Sequence, residues 1–153
     1  MDRCTKAYEY HKQGFNCAQS VVAAFTDLTK VPVETAAAMA GGIGGGVGGS
    51  HAEMCGALSG AVMVLGLLYP HTEAGDTASK KQVYAKSKEF RQRFEGIFGK
   101  TRCGELLAAR PGVSNRTPAA QRMSITGHCD IMIVTAVEIL EEMLAESVKN
   151  SRV

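Results

Sequence analysis

Apolar positions recur at three- and four-residue intervals along most of the chain, the pattern of helices that each bury one face. Cys4, Ala7, Tyr8, His11 and Phe15 form a first stripe, with Gly14 as its stop signal. Asn16 is placed to cap a second helix carrying Ala18, Val21, Val22, Phe25 and Leu28. Pro32 suits the first turn of a third, which runs through the alanines to Ala40. A further helix is predicted over about 54–68, ended by Tyr69-Pro70. Asp76 or Thr77 opens a long one, with Val83, Ser87, Phe90, Phe94 and Phe98 on one face and Gly99 at its end. Thr101 can cap a short helix through Cys103, Leu106 and Leu107, and residues 110–118 read as loop from their composition. The last helix has the clearest stripe: Cys129, Met132, Ile133, Ala136, Val137, Leu140, Met143, Leu144 and Val148. No alternating strand pattern occurs. The expectation is an all-α, single-domain bundle of five to six helices over residues 1–153, with a glycine-rich connecting loop.

Composition agrees with a packed core. The chain has 153 residues, 45% hydrophobic, with a net charge of +2, which excludes disorder as the main state and disfavours a strongly basic nucleic-acid binder. The most apolar stretch, Met54 to Tyr69, is 16 residues long and holds three glycines. A membrane span needs about 20 apolar residues, so this stretch is read as a buried helix with no membrane insertion. The start, Met1-Asp2-Arg3-Cys4-Thr5-Lys6, has no apolar export core, so the expected location is cytoplasmic, where thiols stay reduced. Residues 76–102 hold eight Lys/Arg against three Asp/Glu, and 130–149 hold five acids and one lysine. These runs read as two solvated helix faces. An unidentified redox partner and a homo-oligomer both stay open.

Two glycine motifs do not survive inspection. Gly44 to Gly49 matches G-x-G-x-x-G, but a dinucleotide fingerprint follows a strand, and an alanine-rich helix precedes this one. Gly99-Lys100-Thr101 resembles the end of a phosphate loop, yet Phe94 stands where that loop needs glycine. Seven of the nine residues at 41–49 are glycine, which points to a loop or a tightly packed turn.

The cysteines, at 4, 17, 55, 103 and 129, carry the chemistry. An odd count closes no full set of disulfides, so they read as reactive, metal-binding or simply buried. Cys17 follows Asn16, Cys55 follows Ser50 and Glu53, Cys103 follows Thr101, and Cys129 follows Thr126, each near a predicted helix start. Free amides and the helix dipole there favour anions, so these four thiols are expected to have lowered pKa values. Cys4 is set apart as the first member of an apolar stripe. No C-x-x-C occurs, which argues against a thioredoxin-like site, a zinc ribbon and a carboxymuconolactone-decarboxylase-type peroxidase reductant. Gaps of 38, 48 and 26 residues require any cluster to assemble from four helices.

Cys55-Gly56-Ala57-Leu58-Ser59-Gly60 forms C-G-A-x-x-G, with Phe15-Asn16-Cys17-Ala18-Gln19 upstream and Cys103 and Cys129 downstream. In these residues the chain resembles the C_GCAxxG_C_C family of redox-active proteins over nearly its whole length. The resemblance implies a redox role for Cys17, Cys55, Cys103 and Cys129, with a bound group such as an iron–sulfur cluster. Gly56 and Gly60 would leave one helix face bare for a close neighbour. His51, Glu53 and His128 lie near cysteines in sequence and could serve as ligands or proton donors, whereas His11 reads as a satisfied core histidine. Three functions follow. The first is an iron–sulfur or other soft-metal redox protein holding its metal on the four thiolates. The second is metal-free thiol–disulfide chemistry, and the third is a non-catalytic helical module with structural cysteines.

Overall fold

The computed structural model describes residues 1–109 and 117–151. Nine helices occur among them: α1 (Arg3–Lys12), α2 (Cys17–Ala24), α3 (Thr26–Thr29), α4 (Val33–Ala40), α5 (Gly56–Leu68), α6 (Thr77–Phe98), α7 (Cys103–Ala109), α8 (Pro118–Arg122) and α9 (His128–Ser151). Among the described residues there is no strand, only an isolated antiparallel bridge between Met54 and Arg102. The all-α class holds, but the helix count exceeds the five to six expected, for local reasons. The stripe from Ala18 to Leu28 is split at Phe25, whose backbone leaves helical geometry at φ −108° and ψ 10°, so α3 is a separate turn closed by a left-handed Lys30. Phe25 is fully buried at that break, so its packing takes the place of helix continuity. The predicted loop at 110–118 lies mostly outside the described residues. At its end Thr117 caps α8, accepting a bond from the Ala120 amide, with Pro118 in the first turn.

α2 is the central element and packs on α1, α4, α5 and α9. Six of its eight residues are buried: Ala18, Ser20, Val21, Val22, Ala23 and Ala24. Their small size lets neighbouring helices come close. α5 lies along it, and α6 covers the outer side of α5 and α9 through buried Phe90, Phe94 and Phe98. One apolar cluster runs through the described helices, from Cys4 and Phe25 to Leu58, Leu106 and Leu140.

The two charge runs are less solvated than expected, because they partly face each other. Arg93 of α6 pairs with Glu142 and Glu146 of α9 and with Glu89 on its own helix. Lys86 donates to the Ser147 hydroxyl. Among the described residues no helix is long and apolar enough to cross a membrane.

Candidate functional site

The α1–α2 turn builds the site from one capping residue. Asn16 accepts from the Gln19 amide while the Gln19 side chain accepts from the Asn16 amide, a reciprocal capping box. Both side chains have donors left over. Asn16 Nδ2 donates to the Gly41 carbonyl and Gln19 Nε2 to the Ala37 carbonyl, at 3.0 Å each. The start of α2 is thereby fastened to the end of α4 and the glycine segment.

That segment has an unusual backbone. Residues 45 to 49 all have positive φ, from +61° to +71°, and His51 follows at +62°. Such a run is open to glycine and strained for other residues, which accounts for the glycines at 45, 46, 48 and 49. The Gly49 amide bonds the Gly44 carbonyl and the His51 amide bonds the Gly45 carbonyl, so the turn is closed on itself.

Three cysteines gather around this turn. Cys17 begins α2, and its sulfur accepts from the Gly45 amide at 3.4 Å. Cys103 begins α7, and a Cβ on Gly46 would lie 2.7 Å from its own Cβ. Cys55 is the residue just before α5, and its amide bonds the Thr101 carbonyl. A Cβ on Gly56 would sit 2.3 Å from the Cys17 sulfur, and one on Gly60 would sit 2.7 Å from the Ala18 carbonyl. The bare face expected from the C-G-A-x-x-G motif is present, and α2 with Cys17 occupies it. Cys103 is further pinned by backbone bonds from its own amide to Glu53 and from the Gly104 amide to His51.

These bonds aim His51 at Cys103, with Nδ1 3.2 Å from the sulfur. The other predicted polar residues contribute less. Glu53 uses its backbone carbonyl, while its side chain is exposed. His128 opens α9 beside an exposed Cys129, and the next residue, Asp130, meets His11 Nδ1 at 2.6 Å. His11 is therefore a satisfied histidine, half-buried rather than fully in the core, whose hydrogen bond ties α1 to α9.

The expected thiolate character is overturned at two of the four cysteines. Burial pushes the Cys55 thiol up to about 12, and the nearby Cys17 adds to this while the Ala57 and Leu58 amides pull the other way. Burial also raises Cys103, again with Cys17 adding to it. Removing a sulfur anion from water outweighs what one helix terminus returns. All four do lie at helix starts, but so does Cys4, second in α1 behind its Asp2 cap. Position at a helix start does not separate four cysteines from one. Company at the glycine turn sets Cys17, Cys55 and Cys103 apart instead, while Cys129 is exposed in α9 and Cys4 is buried 3.6 Å from the Val134 carbonyl, its thiol also pushed up to about 12 by burial.

No group of three or more His, Cys, Asp or Glu side chains among the described residues is placed to hold a metal ion. As arranged, the thiols do not fit an iron–sulfur cluster, and no cofactor is evidenced. Sequence reasoning missed the Asn16 and Gln19 clasp on the glycine turn, although the N-x-x-Q spacing at 16–19 is a capping-box signal. No curated protein and no solved structure matches the chain at a significant level. A family model does, over residues 15–143, a span that holds the glycine turn and all four cysteines of the motif. By that match the chain belongs to the family described as "Putative redox-active protein (C_GCAxxG_C_C)".

Proposed function

We propose that the protein performs metal-free thiol–disulfide exchange, with Cys103 as the attacking thiol and Cys17 as the resolving one. The observation that carries this reading is the His51–Cys103 contact at 3.2 Å. A thiol raised by burial is a poor nucleophile at neutral pH unless a base takes its proton, and His51 is within reach to do so. Cys103 is half-buried, so a substrate can reach it, whereas Cys55 is only 5% exposed.

In the forward step the Cys103 sulfur attacks one sulfur of a substrate disulfide. Its proton goes to His51 and then to the departing substrate thiolate. Cys17 next attacks the Cys103 sulfur of the mixed disulfide, losing its own proton as the second substrate thiol leaves. The products are a Cys17–Cys103 disulfide and two substrate thiols, so two electrons pass from protein to substrate. Cys17 is suited to the second step because Gly45 and Gly46, adjacent in sequence, touch Cys17 and Cys103 respectively. The Gly45 amide can steady a developing thiolate there. Cys55 stays protonated, and Cys129 takes no part.

Oxidising the reduced protein with a small disulfide and mapping the linkages tests this. The expected linkage is Cys17–Cys103. His51→Asn, which keeps a residue tolerant of positive φ, should slow modification of Cys103 at neutral pH by about tenfold. At pH above the Cys103 pKa the two rates should converge. An oxidised protein that keeps Cys103 as a free thiol would sink the proposal, and so would equal rates at all pH.

A further inference from the structure

His51 stands at φ +62°, a left-handed conformation uncommon outside glycine. Such a conformation persists where its surroundings over-determine it. Both backbone groups of His51 are used. Its amide donates to the Gly45 carbonyl at 2.9 Å, and its carbonyl accepts from the Gly104 amide at 2.8 Å. The residues on either side are tied by one hydroxyl. Ser50 Oγ donates to the Gly46 carbonyl at 2.7 Å and accepts from the Ala52 amide at 3.2 Å. The same Gly46 carbonyl accepts from the Glu53 amide at 3.1 Å.

Gly46 is the residue on which these bonds bear. A Cβ there would lie 2.9 Å from the His51 Cα and 2.7 Å from the Cys103 Cβ, so Gly46 is wedged against both residues. The Ser50 bond holds residue 51 against that wedge, while Cys103 is held separately, its amide donating to the Glu53 carbonyl at 2.9 Å. With its ring proton on Nε2, His51 presents Nδ1 to the Cys103 sulfur at 3.2 Å. A base acts only within hydrogen-bond reach of the proton it takes, and this contact is at the long end of that reach. A small rotation of residue 51 in a loosened turn would uncouple the pair.

Resting on the thiol-exchange reading above, we propose that Ser50 is a positioning residue for His51: its hydroxyl locks the turn at 46–53 so that Nδ1 stays within reach of the Cys103 thiol. The exchange itself is the one already written. The proton still passes from Cys103 Sγ to His51 Nδ1 as the sulfur attacks, and Ser50 holds the acceptor in place.

The test uses the reduced full chain and iodoacetamide, with alkylation of Cys103 read by peptide mass from neutral pH to above the Cys103 pKa. At neutral pH Ser50→Ala should slow alkylation by about fivefold, less than the loss expected of His51→Asn, because the base is displaced rather than removed. Ser50→Thr keeps the hydroxyl and should retain the wild-type rate. The decisive variant carries Ser50→Ala and His51→Asn together. It should be no slower than His51→Asn alone, since a residue that acts through the base adds nothing once the base is gone. Above the Cys103 pKa every variant should converge with the wild type, because the thiolate then forms without a base. A turn that only shields or exposes the thiol would change the rate there as well.

A wild-type rate in Ser50→Ala beside a slow His51→Asn overturns the role of Ser50 and leaves the exchange reading intact. So does a double variant clearly slower than His51→Asn, or a Ser50→Thr as slow as Ser50→Ala. A His51→Asn that reacts at the wild-type rate at all pH overturns the base itself, and the role of Ser50 with it.

Discussion

Gly56 and Gly66 lie on the same helix and should respond to alanine with opposite signs. A Cβ at Gly66 meets nothing within 4 Å, so Gly66→Ala gains only helix propensity and should stabilise the chain by about 0.5–1 kcal/mol. A Cβ at Gly56 would sit 2.3 Å from the Cys17 sulfur and 3.1 Å from the Gly44 Cα. The same propensity gain applies there, but overpacking a tight contact costs about 1–3 kcal/mol, so the balance should be destabilising. Denaturant unfolding of both variants measures the two signs. A Gly56→Ala variant as stable as Gly66→Ala would mean that α2 and α5 are not in the contact described. The motif position marks Gly56 in the sequence, yet nothing there names Cys17 as the atom filling its space. That assignment needs the packing of two residues 39 positions apart.

The glycine turn and the start of α2 act as one unit through Asn16. Asn16→Ala removes the cap bond from the Gln19 amide and the bond to the Gly41 carbonyl, and leaves only the Gln19 side chain accepting from the backbone amide of residue 16. Losing an N-cap costs about 1–2 kcal/mol, and the turn should loosen beyond this local loss. Hydrogen exchange should therefore quicken at the amides of Gly45, Gly48 and Gly49, whose partners are Cys17, Gly42 and Gly44. Faster exchange confined to α2 would show that the clasp does not hold the turn. Element by element, the stripes and caps were legible: Asn16, Asp76, Gly99 and the apolar face of α9 stand where periodicity puts them. The break at Phe25 was not, because it answers to burial rather than to local signals. Glycine density announced freedom of φ at 41–49, but not that residues 45 to 49 would all take positive values. That choice is enforced by bonds to Gly42, Gly44 and Gly45 within the turn and to Cys17 outside it. Opposite charge runs at 76–102 and 130–149 were visible as well, whereas their pairing through Arg93 depends on α6 lying against α9.

Cys4 and Cys55 belong to one continuous apolar cluster, so their titration bears on the whole molecule rather than on two local sites. Each thiol is pushed up to about 12 by burial, from an ordinary value of 9.0. In the unfolded chain both lose their protons near pH 9, while in the folded chain they hold them until about pH 12. Between these limits the unfolded state binds fewer protons, so stability must fall as pH rises through this window and is fully present below it. Cys4 adds a structural reason, since its thiol donates to the Val134 carbonyl and a thiolate cannot. Lysines and tyrosines titrate in the same range, so the informative quantity is a difference between chains. Cys4→Ala leaves a small cavity and should be less stable than wild type at neutral pH by about 1 kcal/mol. Its thermal midpoint should nevertheless fall less steeply between about pH 9 and pH 11, because one of the two buried thiols is gone. Parallel curves would mean that the Cys4 sulfur is already open to water in the folded chain. A flatter curve for Cys4→Ala and for Cys55→Ala alike would make both thiols protonated members of the core at neutral pH.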